Sequence, residues 1–224
     1  MYGEQSFQFI KLFGNSVRTN VEGILIMLAT GLYASSWMEG SLVVASFAVG
    51  TGLHLGCHWL VAIAYGKGIE QMVLTRAGRI DYTGAEPAFV EGVLRTLAGP
   101  STNAACAAAS FAILAGDVQS WHPNVVLAVS IFGGCNLILT AINFLPAIPF
   151  DGGLVLQMVV GRFWGKPRGL QVAVWTSMTL LVGMAGLGVW LVQPVLIYLA
   201  LTIGYDNWRK HLRPPSAVLP EVLG

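Results

Sequence analysis

The sequence predicts an all-α polytopic integral membrane protein of about six transmembrane helices, with a small β or re-entrant element after the second. Three observations carry this. First, 55% of the 224 residues are hydrophobic and only 10% are charged, where ordinary soluble domains carry about 25% charged residues. The mean hydropathy is +0.68, so most of the chain has no water to face. Second, apolar runs occur at about 22–38, 42–64, 95–116, 123–145, 171–189 and 193–205, and a spanning helix needs roughly 20 mainly apolar residues. Third, all 12 lysines and arginines fall on alternate segments between those runs. By the positive-inside rule those segments face the cytoplasm, and both termini are expected there.

Taken in order, residues 1–20 hold Glu4, Gln5, Lys11, Asn15 and Asn20 and no apolar h-region. No cleavable signal is expected, and the first run serves as its own insertion signal. The stretch 66–93 alternates in part, with Met72 and Leu74 against Arg76, then Ile80 and Tyr82, and is broken by Gly78 and Gly84. It reads as a short hairpin or re-entrant β element. Pro146 to Arg168 reads as a break between the fourth and fifth runs. The sixth run is short and contains Pro194, but merging it with the fifth would move Arg209, Lys210 and Arg213 to the outside. A tail with Pro214, Pro215 and Pro220 is expected to be extended at the surface.

The whole chain, 1–224, is read as a single membrane domain. Its net charge of +1 excludes nucleic acid as a partner, since phosphate binding needs clustered cations. Lipid and other transmembrane helices remain. Cys57, Cys106 and Cys135 all sit in apolar stretches and form no disulfide framework. Trp37, Trp59, Trp121 and Trp208 lie near expected membrane boundaries, where indole rings anchor. His122 and His211, in polar flanks, read as solvated. The compartment expected is a bacterial-type inner or plasma membrane.

Ionisable side chains inside a span are costly and default to a functional reading. The second run contains Gly52-Leu53-His54-Leu55-Gly56-Cys57-His58-Trp59. On a helix His54 and His58 lie about 40° apart, one turn above the other, so both imidazoles can reach one metal ion. The alternative is a pair of helix-packing histidines bonded to carbonyls. A second constellation is Asn143-Phe144-Leu145-Pro146-Ala147-Ile148-Pro149-Phe150-Asp151-Gly152-Gly153. Here two prolines break the fourth span near its cytoplasmic end, and Asp151 follows in a segment expected to be unwound. Irregular backbone at that depth is tolerated where protein or a cavity surrounds it. Asp-Gly-Gly is also good turn chemistry. The topology brings His58 and Asp151 out at the same membrane face, which favours a shared site. Asn136 and Asn143, seven apart, share a face of the fourth span, suited to hydrogen bonds with a neighbouring helix or a substrate backbone. The small residues Ala104 to Ala109, with Gly133-Gly134, read as close helix packing.

HxxxH followed about 90 residues later by NxxPxxxxDGG, with Ala98-Gly99-Pro100-Ser101-Thr102-Asn103 between them, resembles the site-2 protease family of intramembrane zinc metalloproteases. The resemblance covers about 50–155; the spans at about 22–38 and 171–205 lie outside it. It implies His54, His58 and Asp151 as zinc ligands in a water-accessible site recessed below the cytoplasmic surface. It implies a transmembrane helix as substrate, cut near that boundary, and links the Asn143 position to substrate handling, with Pro146 and Asn136 beside it.

One departure matters as much as the match. The family motif is HExxH, and here Leu55 stands where the glutamate would. In zinc proteases that glutamate takes a proton from the attacking water and returns it to the leaving amine. Leucine can do neither, and neither Glu39 nor Glu70 is near in sequence. Cys57 lies about 60° from His54 on the helical wheel, which leaves two readings. It either joins His54, His58 and Asp151 in a closed, structural four-ligand site or is a small buried apolar residue. The sequence therefore points to a protease-like membrane protein without proteolytic turnover, which binds a transmembrane partner or serves as a subunit of a membrane complex. An active intramembrane metalloprotease with an unorthodox base is the alternative, and a metal-handling or transport protein a third.

Overall fold

Ser36 fixes the start of the first long helix. Its hydroxyl accepts from the Glu39 N–H at 3.2 Å, while Glu39 Oε2 accepts from the Ser35 N–H at 3.0 Å, a box of the kind that satisfies orphan donors at a helix start. Helix α1 then runs over Trp37–Ala64, beginning a few residues before the apolar run proper. The computed structural model describes residues 7–12, 15–19, 25, 28–32, 34–74, 79–83 and 86–212. After α1 come α2 (Phe89–Leu114), α3 (Pro123–Phe144), α4 (Asp151–Trp164), α5 (Lys166–Trp190) and α6 (Pro194–Asn207), closed by a π-helical turn at Trp208–Leu212.

Four of these helices, α1, α2, α3 and α5, are long and apolar enough to cross a membrane, with mean hydropathy between 1.2 and 2.3. No more than 28% of any of their apolar windows is buried within the protein. A helix that stays apolar on its outward face is covered by lipid. The expected count of six is not reached among the described residues. Helix α6 has 14 residues, which at 1.5 Å per residue gives about 21 Å, short of the roughly 30 Å hydrocarbon core. It does fold back on α5: the chain turns at Val192, whose φ is 54°, and Ile197 lies against Gly188. The fifth and sixth runs are therefore separate helices. Only part of the first expected run is described. Its helical residues 28–31 lie against the start of α1, with Gly31 facing Gly40. The expected tail at Pro214, Pro215 and Pro220 lies outside the described residues, as do Arg76, Gly78 and Gly84.

The chain also builds a four-stranded sheet in the order β1-β2-β3-β4. Strands β1 (Phe7–Leu12) and β2 (Asn15–Thr19) are antiparallel, β2 is parallel to β3 (Ile69–Leu74), and β3 is antiparallel to β4 (Arg79–Tyr82). The 66–93 stretch thus holds a β3–β4 pair and then the first turns of α2. The amino-terminal segment, to which the sequence alone assigns no element, supplies the other two strands.

One element differs in kind from expectation. Pro146 to Arg168 reads as an irregular break, yet the structure confines the irregular backbone to Leu145–Phe150 and begins helix α4 at Asp151. Gly153 makes this possible: a Cβ there would lie 2.3 Å from the Ala147 carbonyl carbon, so only glycine lets the helix start against the loop it leaves. An acidic first residue also suits the positive end of a helix dipole. Helix α4 then returns antiparallel along α5, with Gly169 against Gln157 and Gly161. Two clusters pack the loop from behind: Ala147 and Phe150 with Leu181 and Ile203, and Ile148 with Ala173 and Val174.

Candidate metal centre

His54 and His58 project from the same face of α1, and both are buried, at 8% and 6% exposure. At 1.5 Å per residue they lie about 15 and 9 Å from the helix's carboxyl end at Ala64. Asp151, the first residue of α4, meets them there. His54 Nε2 lies 3.1 Å and His58 Nε2 3.5 Å from Asp151 Oδ2, and the two Nε2 atoms are 3.0 Å apart. All three ligand atoms fall within 4.8 Å of one another.

The protons explain what this convergence is for. His58 Nδ1 is 2.6 Å from the Arg95 carbonyl, which can only accept, so Nδ1 carries the proton and a neutral ring leaves Nε2 bare. His54 Nδ1 lies 2.6 Å from Asn103 Oδ1. The Asn103 amide is oriented by donating to Gly50 O at 3.0 Å and to Asn136 Oδ1 at 2.8 Å. Asn136 in turn donates to Phe132 O at 2.9 Å. His54 Nδ1 therefore donates too, and its Nε2 is likewise a lone pair. With both rings neutral, two imidazole lone pairs and a carboxylate oxygen converge with no donor among them, and Asp151 Oδ2 is buried without a hydrogen-bond partner. Three buried acceptors packed together repel and stay desolvated unless a proton or a metal ion sits between them.

The backbone leaves room for that cation. A Cβ built on Gly99 would lie 2.4 Å from His58 Nε2 and 2.6 Å from His54 Nε2, close to the roughly 2.0–2.1 Å of a zinc–imidazole bond. The glycine of Ala98-Gly99-Pro100 thus leaves free a volume next to both nitrogens that any side chain would fill. Two histidines and one carboxylate, each ring held by an oxygen acceptor behind it, are the donor set of an open zinc site. These residues fit a divalent metal.

Cys57 is half-buried and lies outside the cluster, so the structure does not assemble the four-ligand arrangement. Asn136 is fully buried and committed to Asn103. Its bond to Asn103 joins α3 to α2, the link to a neighbouring helix that its face on the span suited, and through Asn103 it supports His54. Asn143 is half-buried and donates to Leu139 O of its own helix at 2.9 Å, and Pro146 is exposed. Leu55 is buried, at 8% exposure. His122 caps α3, its Nδ1 accepting from the Asn124 N–H at 3.2 Å. Sequence reasoning did not assign roles to Gly99, Asn103 or the Arg95 carbonyl. Gly99 and Asn103 did stand in the Ala98–Asn103 stretch that carries the family resemblance, and a polar residue in an apolar run was a further signal.

Fold and site together define a polytopic membrane protein with a largely buried cluster of two histidines and one aspartate that could hold a metal ion. The sequence matches peptidase family M50 over residues 25–187, and the chain belongs to that family, whose members are zinc metalloproteases. Its fold is similar to that of the site-2 protease from Methanocaldococcus jannaschii, with a TM-score of 0.68 at 19% identity, covering 91% of this chain and 94% of that one. No curated protein matches the sequence.

Proposed function

We propose that this chain holds one zinc ion through His54, His58 and Asp151 and uses the protease scaffold to bind a transmembrane helix without cutting it. The helix belongs to a partner protein or to a membrane complex of which this chain is a subunit. The observation that carries the reading is Leu55. Cleaving an amide requires one group to take a proton from water and deliver it to the departing nitrogen, a role contributing about 10²- to 10⁴-fold. The residue after His54 is a buried hydrocarbon, and among the described residues no further carboxylate or thiol joins the three ligand atoms. Zinc, when bound, supplies Lewis-acid polarisation of a carbonyl. The chain's own groups orient the histidines, through Asn103 Oδ1 and Arg95 O, and supply three donors. None of them can carry a proton to a leaving group.

On this reading the partner helix lies by Asn143 and Pro146, where the break after α3 leaves the surface irregular. Both termini face the cytoplasm, in a bacterial-type inner or plasma membrane; the one-sided cations support this. An intact donor set favours one second reading, an active metalloprotease with another proton carrier. The two separate on cleavage of a co-reconstituted transmembrane peptide by wild type and by Leu55→Glu. The proposal predicts no cutting above background by wild type and a chelator-sensitive gain of about 100-fold or more in the variant. Robust chelator-sensitive cutting by wild type would establish the second reading instead.

A further inference from the structure

The loop that delivers Asp151 is held by side chains that belong to neither the histidine helix nor the aspartate helix. The Ile148 N–H donates to Ser177 Oγ at 2.6 Å, and Asn207 Nδ2 donates to Ile148 O at 2.8 Å. Both polar groups of one residue are thus taken, one by α5 and the other by the last residue of α6. Ser177 hands its own proton to Ala173 O at 2.6 Å, so its oxygen is fixed as an acceptor toward the loop. Neither side chain is available to solvent: Ser177 is 0% and Asn207 4% exposed.

From this we infer that Ser177 and Asn207 are positioning residues for the metal centre. Backbone that is irregular within a membrane must have its polar groups satisfied by protein, and many partners would serve that end. These two do more, because they come from different helices and grip opposite ends of the same residue, three positions before Asp151. Between them only Pro149 and Phe150 intervene, and Phe150 is buried against Leu181 and Ile203. Little freedom is left by which Asp151 Oδ2 could drift from the two Nε2 atoms. The helices beyond the histidine and aspartate motifs therefore act on the site itself, because α5 and α6 set the position of the third ligand.

This rests on the reading that the three residues hold a metal, and the test separates the two. Full-length protein in detergent is titrated with cobalt(II) and with zinc against a chromophoric chelator. The variants are Ser177→Ala, Asn207→Asp, and a control, Ser110→Ala, whose equally buried hydroxyl bonds only its own helix at Cys106 O. Asn207→Asp keeps shape but turns the donor facing Ile148 O into an acceptor, and carries the test alone if Ser177→Ala does not fold. Losing an outer partner of this kind typically costs about 10- to 100-fold in metal affinity, and that loss is expected for both variants, with altered cobalt absorption bands. The control should stay within about threefold of wild type, that is, below the effect of removing an outer partner. Wild-type affinity in Ser177→Ala and Asn207→Asp, whatever happens to their melting temperatures, overturns the inference. A wild-type chain that binds neither metal overturns the underlying reading together with it.

Discussion

His58 commits its Nδ1 proton to Arg95 O and His54 commits its own to Asn103 Oδ1, so what both rings offer Asp151 is a lone pair. That distribution of protons turns a histidine pair into a cation site, and it makes Gly99 as consequential as the ligands. A methyl group at 99 would sit 2.4 Å from His58 Nε2, where a metal would bond. Gly99→Ala is expected to abolish metal binding and, by overpacking, to cost about 1–3 kcal/mol of stability. Metal analysis beside a thermal melt checks this, and full metal occupancy in the variant would show that the free volume beside the histidines is not the ion's place. His54, His58 and Asp151 were legible in the sequence because a titratable group in an apolar run needs a reason. Gly99, Asn103, Ser177 and Asn207 were not. A small or polar residue in a span reads the same whether it packs a helix or orients a ligand, and only its partner's position tells the two apart.

Helices were legible where hydropathy alone decides and obscured where punctuation has two meanings. Pro146, Pro149, Gly152, Gly153, Gly165 and Pro167 read together as a long break. In the structure the two later ones instead mark a sharp turn, Gly165 at φ 89° and Pro167 in the first turn of α5, which leaves α4 intact between them. Strands β1 and β2 were missed because segments of six and five residues carry little periodic signal, and the pairing of β2 with β3 is set by residues some 50 positions away. The direction of the long helices remains the part that cations argue most strongly. Trp37, Trp121 and Trp190 lie at the ends of α1, α3 and α5 opposite Lys67 and Lys166, and Trp59, Trp164 and Trp208 lie on the basic side, as indole rings do at both membrane boundaries. Single cysteines placed at the exposed Ser36 or Gln119, in a chain without its native thiols, should react with an impermeant reagent added outside intact cells. Reaction at the exposed Arg168 position instead would invert the topology.

Across the described residues the site is a joint product of all six helices, α1 to α6, with α3 giving Asn136, which orients Asn103. Helix α1 gives the histidines, α2 their oxygen partners and the gap at Gly99, α4 the aspartate, and α5 and α6 the grip on its loop. An arrangement that buries three acceptors against one another at membrane depth is unfavourable in itself. On the proposed reading a metal cation resolves it, and the three ligand atoms converge here although Leu55 follows His54. The central claim is thus that the ligands are kept for binding a metal. The most direct measurement is the metal content of wild-type protein purified from zinc-replete membranes beside Asp151→Ala. About one zinc per chain is expected in the wild type, from a donor set of this kind, with occupancy lost in the variant. A wild-type chain free of metal, or an Asp151→Ala chain that keeps it, would contradict the account.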